Sequence, residues 1–331
     1  MKRFKLYFLL AIAIFLFHMC ENQNTDMSVN DAWNIIIPDT LSSTEINAIC
    51  EYNDNTVWIG TNKGIWSFDN TSFSSVITTN DGLMDNEILD IKKNSMDEMI
   101  IFTASGINRY DGAMHIINTE SLNYASYGYF DIDSDDNIWL LTDNAHENPQ
   151  SLLKLNSDTE TYYNPAGTST DSENYMCVFA DSKGRIWVGY YYQRIVLYKI
   201  ENEDIDYFDT DELNEVVYAI TEDSQENIWM TTDYSLVKFD GTSFTSYNDE
   251  DLFKLWSKNI IADHNDDIWV ATHTKINKLH KGKWESEYVW SKTNPWKDPN
   301  SDLILYSKMM EDSKNNIWVC TDKGVMIKDN N

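Results

Sequence analysis

The sequence predicts an all-β fold, a ring of seven four-stranded antiparallel blades, and three observations carry that prediction. A phrase built on Ile-Trp recurs along the chain: NTVWIGTNKG from Asn55, DNIWLLTDN from Asp136, GRIWVGYYYQ from Gly184, ENIWMTTDYS from Glu226, DDIWVATHTK from Asp266 and NNIWVCTDKG from Asn315. Its anchors, Trp58, Ile100, Trp139, Trp187, Trp229, Trp269 and Trp318, lie 39 to 49 residues apart, a period that marks a propeller or a solenoid. Between anchors the chain breaks into short alternating or apolar runs rich in Val, Ile, Thr, Tyr and Trp, which read as strands.

The elements follow in order. The chain opens MKRFKLYFLLAIAIFLFHMC. Lys2, Arg3 and Lys5 form a basic start, and 6–17 is an apolar run shorter than the ~20 residues of a membrane-spanning helix. Residues 1–19 therefore read as a signal peptide. The run ends at Cys20, which resembles the lipidated first residue of a bacterial lipoprotein, although Met19 stands where that pattern wants a small residue. Residues 20–31 are a polar linker, and 32–331 is the ring.

Each unit reads as four strands. In the second, NEILDIKKN, EMIIFTA, GINRYDG and AMHIINT follow one another. The first turn carries an Asp-Ser pair, at Asp181, Asp223 and Asp312. Such residues hydrogen-bond their own backbone. The third turn carries Asp69-Asn70, Asp111-Gly112 or Asp240-Gly241, dipeptides of tight hairpins. Thr recurs three residues after the anchor, at Thr61, Thr103, Thr142, Thr232, Thr272 and Thr321, with Tyr190 in the fourth unit. A lone four-stranded sheet cannot bury both faces, whereas blades set radially cover each other, with each anchor Trp between two of them.

The last unit has three strands only. The run AWNIII at 32–37, stopped by Pro38, looks like the fourth strands of other units. It is expected to complete the seventh blade and close the ring, which removes an open edge.

Bulk properties exclude some classes. The formal net charge of −29 disfavours nucleic acid and anionic lipid as partners of the folded surface. Besides Cys20 there are Cys50, Cys177 and Cys320, widely spaced in apolar runs, and these read as buried thiols. No zinc, P-loop, HExxH or GxSxG motif is present. The alternating carboxylates Asp131, Asp133 and Asp135 suggest a calcium loop, but they fall on a turn that every unit has. No cofactor and no metal are expected.

The copies VWIGTNKGIWSFD (57–69) and IWVCTDKGVMIKD (317–329) resemble the two-component regulator propeller repeat, and the likeness runs over 32–331. The resemblance implies a propeller of the kind that forms periplasmic sensor regions of hybrid two-component systems, and a ligand-sensing ancestry. The chain ends with the ring, so a binding propeller is expected rather than a signalling kinase. Streptogramin lyases are also propellers with Trp-bearing repeats, and they use a His, a Glu and magnesium. No matching pair can be placed here, so no catalytic residue is assigned. His273 is the one histidine on a plausible functional rim.

That rim gathers the loops between second and third strands and between blades. Its aromatics, Tyr127, Tyr190, Tyr191, Tyr192, Tyr234, Trp256 and Trp296, together with His273, form the candidate ligand face. Rigid aromatics with a polar tip suit sugars or peptides. The expectation is a non-enzymatic, monomeric ligand-binding or sensing propeller at the cell envelope. It is anchored to the inner or outer membrane only through lipid on Cys20, with the propeller in the periplasm or at the cell surface. An oligosaccharide is the first-choice ligand, an envelope protein the alternative partner, and a lyase-type enzyme the second alternative.

Overall fold

The computed structural model describes residues 33–36, 44–69, 71–117, 129–142, 151–156, 159–163, 175–190, 195–199, 216–233, 235–247, 257, 259–272, 275–289, 308–321 and 324–329. Their regular structure is β, apart from one 3-10 turn at Thr79–Asp81. Strand β1 is Trp33–Ile36. Sheet 1 follows with β2 (Ile46–Asn53), β3 (Thr56–Thr61), β4 (Gly64–Phe68) and β5 (Phe73–Ile77). Sheet 2 has β6 (Ile88–Lys93), β7 (Met99–Thr103), β8 (Gly106–Tyr110) and β9 (Met114–Ile117). Sheet 3 has β10 (Phe130–Ile132), β11 (Ile138–Thr142), β12 (Ser151–Leu155) and β13 (Glu160–Tyr163). Sheet 4 has β14 (Tyr175–Ala180), β15 (Arg185–Tyr190) and β16 (Ile195–Lys199). Sheet 5 has β17 (Val217–Glu222), β18 (Ile228–Thr232), β19 (Leu236–Phe239) and β20 (Phe244–Tyr247). Sheet 6 has β21 (Asn259–Ala262), β22 (Ile268–Ala271), β23 (Lys275–His280) and β24 (Lys283–Val289). Sheet 7 has β25 (Met309–Glu311), β26 (Ile317–Thr321) and β27 (Gly324–Lys328).

Within each sheet, neighbours in sequence pair antiparallel. Sheet 7 takes β1 as its outer strand, in the register Trp33↔Lys328 to Ile36↔Val325. The N-terminal strand thus covers an edge that β27 would otherwise leave open. The expected strand 32–37 is realised as Trp33–Ile36. The expectation of seven four-stranded blades needs one correction. Among the described residues six sheets have four strands and sheet 4 has three, and the segment after Lys199 lies outside the described residues.

The first strands face inward. β2, β6, β10, β14, β17, β21 and β25 each lie against the next, and β25 lies against β2. Between successive sheets sit seven apolar cores, each seeded by one anchor. Trp187 packs on Val217, Ile228 and Met230 of sheet 5. Trp318 packs on Ile46, Val57 and Ile59 of sheet 1, across the joint between the chain's ends. Ile100, which stands in for Trp, packs with Phe130, Ile138 and Leu140.

Local hydrogen bonds explain the recurring polar residues. The Thr after the anchor locks the second hairpin. Its hydroxyl donates to the carbonyl three residues on, from Thr61 to Gly64, Thr103 to Gly106, Thr232 to Ser235, Thr272 to Lys275 and Thr321 to Gly324. At Gly64 the backbone is left-handed (φ 112°), and a Cβ would meet the Ile77 carbonyl at 2.4 Å, so only glycine serves there. In the third turn Asp69 accepts from Thr71 and Ser72, and Asp240 accepts from Thr242 and Ser243. These bonds hold both carboxyls well below the usual carboxylate range.

Candidate functional site

The inward strands place their side chains around one axial cavity of about 280 Å³. All seven sheets contribute to its lining, from Ile49 of sheet 1 to Lys308 and Met309 of sheet 7. Its walls differ. On sheets 7, 2 and 3 runs a chain of alternating charge. Lys308 Nζ donates to Asp90 Oδ2 at 3.1 Å, and Lys92 Nζ donates to Asp131 Oδ1 at 2.7 Å. Asp131 also accepts the Ala180 amide of sheet 4 at 2.8 Å, and Asp90 accepts the Ile91 amide at 2.9 Å. Burial opposes the charge on Lys92, but Asp131 and Asp90 outweigh it and hold the ammonium above its ordinary pKa. On sheets 4, 5 and 6 the described lining includes Val178, Phe179, Ile220 and Ile260, with Tyr218, whose hydroxyl bonds Asp233 at 2.6 Å.

The side away from the candidate rim carries the first turns, and these form clasps between sheets. The backbone N–H and the hydroxyl of one Ser grip a carboxylate of the next sheet: Ser95 grips Asp136, Ser182 Glu222, Ser224 Asp266 and Ser313 Glu51. In sheet 6, His264 takes the place of Ser, and its N–H and Nδ1 meet Glu311 at 2.8 and 2.5 Å. The Glu311 carboxylate holds the imidazole above its ordinary pKa. Asp263, His264 and Glu311 lie close enough to surround an ion. Their oxygens are already engaged, however, since Asp263 accepts from the Asn265 and Asp267 amides and from Trp269.

The other described histidines serve the blades. His115 pairs with Asp111 on the outer side of sheet 2, and His280 pairs with Asp267 at 2.6 Å. Asp131 and Asp133 diverge. The first turns to Lys92, while the second accepts the amides of its own turn and the Trp139 indole, so these carboxylates build a hairpin. Cys50, Cys177 and Cys320 are free thiols, and burial pushes the first two up to about 12 and the third well above its ordinary value.

Tyr127, Tyr191, Tyr192, Tyr234, Trp256, His273, Trp296 and Cys20 lie outside the described residues. Tyr190 ends β15, opposite Tyr175. The axial lysines were not among the sequence candidates. Their signal is the alternation of Asp90 and Lys92 in a strand that otherwise reads as core.

The chain is similar in fold to propellers of known structure. The family described as two component regulator propeller matches residues 40–63 and 211–234, so these two segments carry that repeat. No curated protein sequence matches the chain at a significant level. The extracellular domain of the hybrid two component system BT3049 from B. thetaiotaomicron superposes with a TM-score of 0.69 at 20% identity, over 91% of this chain and 41% of that one. That of BT4673 from the same organism gives 0.69 at 17%, over 90% and 39%. The chain thus spans about two fifths of the length of these sensor domains. Virginiamycin B lyase from Staphylococcus aureus gives 0.67 at 14%, over 89% of this chain and 98% of the enzyme. At these identities the likeness is one of fold. Among the described residues no helix is long and apolar enough to cross a membrane.

Proposed function

We propose that the protein is a non-enzymatic ligand-binding or sensing propeller at the bacterial cell envelope. The observation that supports this most is the two component regulator propeller repeat at 40–63 and 211–234, set in a ring like those of extracellular sensor domains. A lyase of the virginiamycin type shares the ring. The described histidines nevertheless act as blade fasteners, and the axial carboxylates are tied to lysines and backbone amides. General acid–base work needs a titratable group open to substrate.

On this reading residues 1–19 direct export, and Cys20 receives the lipid. The aromatic rim around Tyr190–Tyr192, Tyr234, Trp256 and Trp296 takes an oligosaccharide. A broad protein interface at the same rim is the second reading, favoured by the same aromatics. Calorimetric titration of the purified protein against an oligosaccharide panel tests the first. Saturable heat for one glycan, lost in Tyr191→Ala or Trp256→Ala, supports it. Silence across the panel removes the sugar and leaves the protein interface, to be sought by pull-down from envelope extract.

A further inference from the structure

We propose that the axial cavity is a second binding site, built for a small organic acid with an apolar or aromatic body. The proposal is independent of the rim, and it rests on the two unlike walls of the cavity. On the charged wall the exposures are unequal. The side chains of Lys92 and Lys308 are 34% and 30% exposed, while those of their partners Asp131 and Asp90 are 11% and 9% exposed. Each carboxylate is consumed by an ammonium and by backbone amides. Each ammonium has three donors and gives one to its partner. The charge that the cavity presents is therefore positive, although the chain carries −29 overall.

Across the cavity, sheets 4 to 6 line it with Val178, Phe179, Tyr218, Ile220 and Ile260 beside Thr221 and Asn259, and Val178, Ile220 and Ile260 border it from the edges of the inter-sheet cores. A ligand that satisfies both walls puts a carboxylate on the ammonium groups and an apolar body against the opposite side. Charge-assisted bonds of this kind are roughly twice as strong as neutral ones. The volume, about 280 Å³, corresponds to about nine waters at ~30 Å³ each, so the acid is small. It falls just below the ~300–1,000 Å³ of sites for drug-sized molecules. The acidic exterior repels anions at long range, but 0.15 M salt screens this beyond about 8 Å.

Calorimetry of the whole protein at physiological salt, with benzoate and 4-hydroxyphenylacetate, provides the test. Benzyl alcohol supplies the same body without charge, and acetate supplies charge without the body. The expected result is saturable binding of the two aromatic acids, at least tenfold tighter than either control. In Lys308→Gln, which can still donate to Asp90, the acids should weaken at least tenfold while benzyl alcohol is unchanged. If that variant fails to fold, the comparison of acid with alcohol decides alone. Equal binding of acid and alcohol, or no saturable heat with either acid, overturns the proposal. Glycan binding with silence for the acids would sink this site and leave the rim standing, and the reverse would do the opposite.

Discussion

The indole N–H of Trp318 donates to Asp312 Oδ2 at 2.7 Å, six residues back along the chain. The same bond joins Trp139 to Asp133, Trp187 to Asp181, Trp229 to Asp223 and Trp269 to Asp263, at 2.7 or 2.8 Å. In each turn the other carboxylate oxygen accepts backbone amides two and four residues on. One Asp thus shapes the turn and satisfies a buried donor between sheets. Sheets 1 and 2 depart from this pattern: in sheet 1 Tyr52 stands six residues before Trp58 and stacks on its ring at 4.8 Å, and sheet 2 differs at both positions. There Ile100 replaces Trp and Asn94 replaces Asp, and Asn94 still accepts the amides of Met96 and Glu98. Sheet 2 thus keeps the turn's amide acceptor where no indole needs a carboxylate.

Asp312→Ala therefore leaves a buried indole N–H without its acceptor and removes the turn's hydrogen bonds. An unsatisfied buried donor costs about 1–3 kcal/mol, so the urea-derived stability should fall by roughly 2–4 kcal/mol. Asp312→Asn keeps an acceptor oxygen and should lose less. Equal losses for the two would count against the paired role of the carboxylate.

The His264–Glu311 clasp should respond to pH. The folded pKa of His264 lies above its unfolded value of about 6.5. Its contribution is then fully present below that value and is lost as pH rises through the folded pKa. The melting temperature of the parent should decline, as pH rises above about 6.5, relative to that of His264→Ser, which carries the clasp residue of the neighbouring sheets. Parallel pH profiles for the two proteins would remove the histidine from the joint's energetics.

Gly60 sits where a Cβ would lie 2.6 Å from Ile88 Cγ2 and 2.9 Å from Ala48 Cβ, at the joint between sheets 1 and 2. Overpacking of this kind costs typically about 1–3 kcal/mol. Gly60→Ala should lower thermal stability accordingly. Gly112→Ala meets nothing within 4 Å and should pay only for its positive φ of 105°. If the two variants melt together, the close approach at Gly60 is not what limits the joint.

Burial that pushes Cys50 and Cys177 up to about 12 leaves almost no thiolate at neutral pH. Cys50, Cys177 and Cys320 should resist a thiol reagent in the native protein and react after unfolding in guanidinium. Rapid native labelling at any of them, located by peptide mass, would show that its joint opens.

Much of the fold is legible in the sequence because a ring of blades repeats its solutions. The Trp anchors, the Asp-Ser turns and the Thr of the second hairpin each recur at a fixed offset, and β1 betrays itself as the strand that the last unit lacks. What a turn's Asp does for an indole six residues later is spatial, and so is the grip of Ser313 on Glu51 across 262 residues. The same holds for Lys308 and Asp90, 218 residues apart, which meet only because their sheets flank sheet 1 around the axis. A site assembled from several blades has no local motif. Rim loops differ from unit to unit, so their aromatics carry composition but no register.

The closure of the ring rests on β1 and β27, and hydrogen exchange reads it out. In the full chain the amides of Val325, Met326, Ile327 and Lys328, which lie opposite Ile36 to Trp33, should include slowly exchanging sites. Removal of the residues before Ile37 takes away β1 and Trp33, which packs with Trp269, Ile317 and Met326. Protection at 325–328 should then collapse, and the melting transition should fall and broaden. A truncated chain with unchanged protection at 325–328 and unchanged melting would mean that the N-terminal strand does not hold the ring shut.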